Sequence, residues 1–120
     1  MAKVLIVDDA AFMRLTIREA LEAAGHEVVG EAANGFEAVK GYQQYRPDIV
    51  TMDITMPDMD GVTGVRKIKE LDPQAIIIMC SAMGQQRKVF EAVEAGAKDF
   101  IVKPFHADRL VQAVNNQILA

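Results

Sequence analysis

Short apolar runs alternate with longer stretches in which apolar residues recur every three or four positions, and the two patterns take turns along the chain. Val4-Leu5-Ile6-Val7 is a continuous apolar run, the mark of a strand buried on both faces, and it ends at Asp8-Asp9. Met13, Ile17, Leu21 and Ala24 follow at helical spacing, and Gly25 supplies a stop. Val28 to Ala32 reads as a shorter, weaker strand. Asn34 is placed to cap a second helix with Ala38, Tyr42 and Tyr45 on its apolar face, and that helix must end before Pro47. A third strand runs through Ile49-Val50-Thr51-Met52 and stops at Asp53, because the Pro57, Asp58 and Gly61 segment beyond it cannot continue a strand. Val62, Val65, Ile68 and Leu71 mark a third helix, closed by Asp72-Pro73, and Ile76 to Cys80 is a fourth strand ending at Ser81. Val89, Phe90 and Val93 mark a fourth helix, stopped by Gly96. Phe100-Ile101-Val102 is a fifth strand ending at Lys103-Pro104, and Leu110, Val111, Val114 and Ile118 make a last helix.

Five strand–helix units in succession, without linker or internal repeat, predict a parallel sheet with helices on both faces. A closed eight-fold barrel would need about twice this length. The expected fold is therefore an open, doubly wound α/β domain spanning residues 1–120, with no output domain after it. Seventeen acids against thirteen bases give a net charge of −4, so nothing favours nucleic acid, and Arg66, Lys67 and Lys69 read as a solvated helix face. No apolar run approaches membrane-spanning length and no signal-peptide pattern opens the chain, which suits a cytoplasmic protein. The lone cysteine, Cys80, lies in an apolar strand, where a buried, unreactive thiol is expected. His26 and His106 stand apart from each other and from any cysteine, so they form no zinc pattern and read as surface residues.

In an open parallel sheet, functional groups gather at the carboxyl ends of the strands, near the point where strand order reverses. Those ends carry Asp8 and Asp9, Asp53, Ser81 and Lys103. Taken singly, each is explained as well by the polarity of loops. Taken together, three carboxylates, a hydroxyl and an ammonium at four strand ends make a constellation. Two carboxylates about 4 Å apart repel by roughly 4 kcal/mol at an effective dielectric near 20, and a divalent cation relieves that repulsion. Mg²⁺ suits oxygen ligands and keeps positions open for a phosphate oxygen. A cation beside a carboxylate, a lysine and a hydroxyl is what phosphoryl transfer requires: cation and lysine neutralise charge, the hydroxyl fixes a phosphoryl oxygen and the carboxylate attacks in line.

These residues resemble a bacterial response-regulator receiver domain, of the stand-alone chemotaxis kind. Val4 to Asp9, Met52 to Pro57 with Gly61, Ser81-Ala82 and Val102 to Phe105 carry the resemblance, which covers the whole chain. It implies the flavodoxin-like strand order 2-1-3-4-5, an order shared across such receivers and taken here from the resemblance. It further implies that Asp53 accepts a phosphoryl group from a sensor histidine kinase. Asp8, Asp9, Asp53 and the main-chain carbonyl of Thr55 would hold Mg²⁺, and Lys103 would pair with the phosphoryl group. Ser81 and Phe100 would form the switch, Lys103-Pro104 would be cis, and Thr55 and Met83 would tune the lifetime of the phosphorylated form. Phe100 stands where chemotaxis members often carry tyrosine, and Met83 offers no polar group to a water. The implied partners are the kinase, a flagellar motor switch or other downstream protein, and a separate phosphatase, acting on a monomer without nucleic acid or membrane; the alternative role is that of a single-domain phosphorelay intermediate passing its phosphoryl group to a relay phosphotransferase.

Other readings of the site are a metal-dependent phosphatase with an aspartate nucleophile, a flavin or nucleotide binder, and a receiver-like scaffold without chemistry. The first calls for an acid two residues after the nucleophile, where Thr55 stands. The second calls for a phosphate-cradling loop after the first strand, where Asp8-Asp9-Ala10-Ala11 would repel phosphate. The third leaves five filled functional positions without a use.

Overall fold

The computed structural model describes residues 1–119. Strands β1 (Lys3–Val7), β2 (Glu27–Ala32), β3 (Ile49–Asp53), β4 (Ile77–Ser81) and β5 (Asp99–Val102) alternate with helices α1 (Ala11–Ala23), α2 (Gly35–Tyr45), α3 (Gly61–Leu71), α4 (Gln86–Glu94) and α5 (Ala107–Leu119). All strand pairs are parallel and their order is β2-β1-β3-β4-β5, as expected.

Side chains of successive strand residues point to opposite faces, so each apolar run feeds two cores. Leu5, Val7, Val50, Met52, Ile77 and Met79 meet Ala38 and Tyr42 of α2, Val62, Val65 and Ile68 of α3, and Ala92 of α4. Val4, Ile6, Ile49, Ile78, Cys80 and Ile101 meet Ile17 and Leu21 of α1 and Leu110, Ala113 and Val114 of α5. Each fully buried aliphatic side chain contributes about 1.5–3 kcal/mol, which is why the central strands carry no polar alternation. The edge strand β2 is only half-buried. There Tyr45 lies across Gly30, where an added Cβ would sit 2.5 Å from the ring. Glycine at position 30 lets the ring cover the sheet edge.

The helix ends follow the sequence chemistry. Asn34 accepts a hydrogen bond from Glu37 N–H at 2.9 Å and caps α2, and Asp60 does the same for Thr63 N–H at the start of α3. Gly25 turns the chain out of α1 with φ +89.

Several expectations change. β4 starts at Ile77 and β5 at Asp99, one residue from the predicted limits, because apolar runs do not mark where pairing begins. His26 is buried, at 7% exposure, and sits between Ala2 and α5, where two hydrogen bonds replace its water. Lys69 is half-buried, its Nζ donating to the carbonyls of Pro73 at 2.7 Å and Ala75 at 3.0 Å. Only Arg66 and Lys67 of that basic group are exposed. Phe90 and Val93, the supposed inner face of α4, are 63% and 46% exposed, and the small Ala92 faces the core instead. Leu71 and Tyr45 are likewise largely exposed.

Candidate phosphoacceptor and cation site

Strand order reverses between β1 and β3: α1 covers one face and α2 the other, so the carboxyl ends of these two strands open into one crevice. β1 delivers Asp8 and Asp9 to it, β3 delivers Asp53, and one oxygen of each carboxylate lies within 4.8 Å of the other two. Asp8 is 1% exposed and Asp53 8%, whereas Asp9 stands in solvent.

Lys103 enters from the end of β5 and places Nζ 2.9 Å from Asp8 Oδ2 and 3.4 Å from Asp53 Oδ1. Its approach is fixed by the backbone, because Lys103 N–H donates to the Ser81 carbonyl at 2.7 Å. The Lys103–Pro104 peptide is cis, as the resemblance implies. Asp8 is held by Ala10 N–H, which donates to Oδ1 at 2.9 Å, and by Arg14, whose Nη1 donates to the Asp8 carbonyl at 2.6 Å. Arg14 and Arg18 are braced in turn by Glu31, with N–O distances of 2.9 and 2.7 Å.

The electrostatics of this cluster are unbalanced. Burial pushes the Asp53 carboxyl above its ordinary range; Lys103 opposes the shift, and Asp8 and Asp9 add to it. Burial disfavours the charge on Lys103, but the Asp8 hydrogen bond and the Asp53 and Asp8 carboxylates outweigh it and leave the ammonium more firmly protonated than usual. One cation among three carboxylates leaves an excess of negative charge. Hard oxygen donors converging from two loops, one of them open to solvent, fit a divalent cation such as Mg²⁺ that retains part of its water.

The remaining predicted residues surround this centre. Ser81, 1% exposed, ends β4 beside β3, one position beyond the Asp53–Cys80 pairing. Thr55 is exposed on the loop two residues past Asp53. Met83 is 79% exposed on the loop after β4, and Phe100 is 40% exposed on β5. Ser81, Met83 and Phe100 line a groove of about 510 Å³ together with Val89, Phe90 and Val93, so the apolar face of α4 is turned outward into this groove. The Cys80 thiol, behind Asp53, is pushed up to about 12 by burial and takes no part as a nucleophile.

Two further residues of the site carry no recognisable signal in the sequence. Arg14, six residues beyond Asp8, gives none because its partner is a main-chain carbonyl. Gln85 joins Ala82 N–H, which donates to its Oε1 at 2.7 Å, to Thr55 Oγ1, which accepts from its Nε2 at 2.6 Å. A glutamine in a loop has no recognisable signature, and a partner thirty positions away is invisible to local spacing.

The family described as Response regulator receiver domain matches residues 4–115. The chain is 60% identical to the chemotaxis protein CheY of Bacillus subtilis over 116 residues, 97% of each chain. It is 60% identical to the CheY of Thermotoga maritima over 113 residues, 94% of each chain. Among solved structures it resembles a CheX–CheY–BeF3–Mg²⁺ complex from Borrelia burgdorferi, with a TM-score of 0.92 and 41% identity, covering 97% of this chain and 88% of that one. With these likenesses along nearly its full length, and with the acidic crevice at the ends of β1 and β3, the chain belongs to the response regulator receiver domain family, among relatives that are chemotaxis CheY proteins.

Proposed function

We propose that the chain is a phosphorylation-activated switch of chemotaxis, with Asp53 as phosphoacceptor. The observation that carries this reading is the convergence on Asp53 of Asp8, Asp9 and Lys103 from three strand ends. An Asp53 oxygen attacks the phosphorus of a phosphohistidine on a sensor kinase. The new O–P bond forms as the P–N bond breaks, and the imidazole nitrogen keeps the electron pair. Lys103 Nζ pairs with a phosphoryl oxygen, and the Ser81 hydroxyl donates to another. Asp8, Asp9, Asp53 and the Thr55 carbonyl would hold Mg²⁺, which when bound supplies charge neutralisation at the phosphoryl oxygens.

The groove beside Ser81 is the output face. A phosphoryl group draws Ser81 inward, the space it leaves lets Phe100 turn in, and the groove lined by Phe90, Val93 and Phe100 changes shape for its partner. That partner is a flagellar motor switch or another downstream protein. A separate phosphatase ends the signal, because Met83 gives an attacking water no hydrogen bond. In this role residues 1–120 act as one monomeric receiver domain in the cytoplasm. No helix among the described residues is long and apolar enough to cross a membrane. CheX bound to the Borrelia relative in the presence of BeF3 and Mg²⁺ is a precedent for a partner on such a domain.

Incubation with acetyl phosphate and Mg²⁺ tests the assignment. Wild type should acquire a base-labile acyl phosphate and Asp53→Asn should not; equal labelling of the variant would refute it.

A further inference from the structure

Gln85 occupies a main-chain donor at the rim of the proposed phosphoryl site. Along β4 the backbone alternates: the Cys80 carbonyl accepts from Ile54 of the β3 segment at 3.1 Å, and the Ser81 carbonyl accepts from Lys103 beyond β5 at 2.7 Å. The next N–H, that of Ala82, therefore turns back toward the end of β3, where Asp53 stands. It is a main-chain donor at the lip of a site read as receiving a phosphoryl group. An anion there would take it, and the neutral oxygen of the Gln85 amide holds it instead.

The other half of the same amide donates to Thr55, two residues past Asp53. One side chain thus spans the gap between the loops after β3 and β4. Two details show that the position is built for this reach. Gln85 is the N-cap of α4, yet its side chain makes no capping bond to that helix and is turned back to the strand ends. Gly84, immediately before it, has φ +87, a left-handed turn that aims the chain back and that residues with a Cβ rarely adopt.

We propose that Gln85 is a gate on the Ala82 donor, a positioning residue that holds the two loops together while Asp53 is unmodified and is displaced when an oxyanion arrives. This rests on the phosphoacceptor reading of Asp53. A phosphoryl oxygen takes the Ala82 N–H, the Gln85 amide loses its first anchor, and the bond to Thr55 loses its support. Release frees the Thr55 hydroxyl beside the phosphoryl group and unties the loop that carries Ala82 and Met83 into the output groove. Gln85 thereby slows entry of the phosphodonor and links occupancy of the site to the shape of the groove.

Three variants and one direct observation separate the gate from a merely structural contact. Gln85→Ala uncovers the donor and should raise the rate of labelling by acetyl phosphate by about threefold to tenfold. Thr55→Val removes the far anchor and should raise the initial rate of labelling less. Gln85→Glu keeps an acceptor for Ala82 N–H but adds charge beside the acid cluster and cannot donate to Thr55, so it should slow labelling below wild type. Amide hydrogen exchange, followed by ¹⁵N NMR, gives the readout that does not depend on activity. In the metal-free wild type, the Gln85 side-chain NH2 and the Ala82 N–H should both be protected. With Mg²⁺ and beryllofluoride the Gln85 NH2 should exchange at least tenfold faster, while Ala82 N–H stays protected. If beryllofluoride binds but Gln85 exchange does not change, or if Gln85→Ala labels at the wild-type rate, the gate is refuted while Asp53 remains the phosphoacceptor. If wild type takes neither beryllofluoride nor a phosphoryl group, the phosphoacceptor reading falls, and the gate with it.

Discussion

At the amino-terminal end of the strands a set of polar groups is paired within the protein. Ala2 N–H donates to His26 Nδ1 at 3.0 Å, and His26 Nε2 lies 2.9 Å from Asn115 Oδ1. Lys3 N–H donates to Asp48 Oδ2 at 2.8 Å, and the Asp48 N–H returns a bond to the Lys3 carbonyl at 2.7 Å. Tyr42 and Asp72, near the carboxyl ends of α2 and α3, close the same end of the molecule through a 2.7 Å hydrogen bond. The opposite end of the same sheet gathers Asp8, Asp9 and Asp53 around a single lysine. The groups named at the first end are satisfied by the protein alone, while on the proposed reading the other end is completed by a cation and a phosphoryl group.

The largest test of this contrast is Gly61→Ala. A Cβ at position 61 would overlap the Asp53 carbonyl oxygen and lie 2.8 Å from Ile54 Cα, and backbone cannot move aside as a side chain can. The variant should lose about 3 kcal/mol in denaturant unfolding and most of its labelling by acetyl phosphate, since the segment carrying Asp53 must shift. Wild-type stability in Gly61→Ala would show that the Asp53 segment yields easily.

His26→Leu tests the satisfied end. It leaves the Ala2 N–H without its partner and should cost about 2 kcal/mol, while labelling of Asp53 continues at the wild-type rate. A loss of labelling equal to the loss of stability would mean that the two ends are not independent.

Tyr42→Phe is the mildest. Removing one hydrogen bond should cost about 1 kcal/mol near neutral pH. Burial, reinforced by the Asp72 carboxylate, pushes the Tyr42 hydroxyl up to about 12. A group whose pKa is raised on folding stabilises below its unfolded value, near 10 for tyrosine, and loses that contribution as pH rises through the folded value. Wild type should therefore lose its advantage over the phenylalanine variant between about pH 10 and pH 12, and equal pH profiles would contradict the bond.

The contrast also separates what the chain discloses in sequence from what it conceals. The strand ends were legible because the same rule governs every unit: an apolar run must stop where its backbone leaves the sheet, and Asp8, Asp53, Ser81 and Lys103 stand at those stops. The partners at the other end were not legible. His26 looks like a surface histidine, because the groups that satisfy it are the Ala2 main chain and an asparagine 89 residues away. The α4 helix misled for a different reason. Its apolar stripe has the spacing of a buried face, and periodicity cannot tell a face that packs on a core from one that lines an open groove. Gln85 lies beyond both rules, since its chemistry is set by two loops that the sheet brings together.

If the carboxyl end of the sheet is left incomplete for a cation, Asp9→Asn will expose it, because Asp9 is the exposed member of the acid cluster. Thermal and denaturant unfolding of both proteins would be compared in EDTA and in Mg²⁺. In EDTA the variant should be more stable than wild type by about 1 kcal/mol, as a like charge has been removed. In Mg²⁺ at about one hundred times its dissociation constant, wild type should gain roughly 2.7 kcal/mol and the variant much less. A variant no more stable than wild type in EDTA, with an undiminished gain in Mg²⁺, would contradict the account.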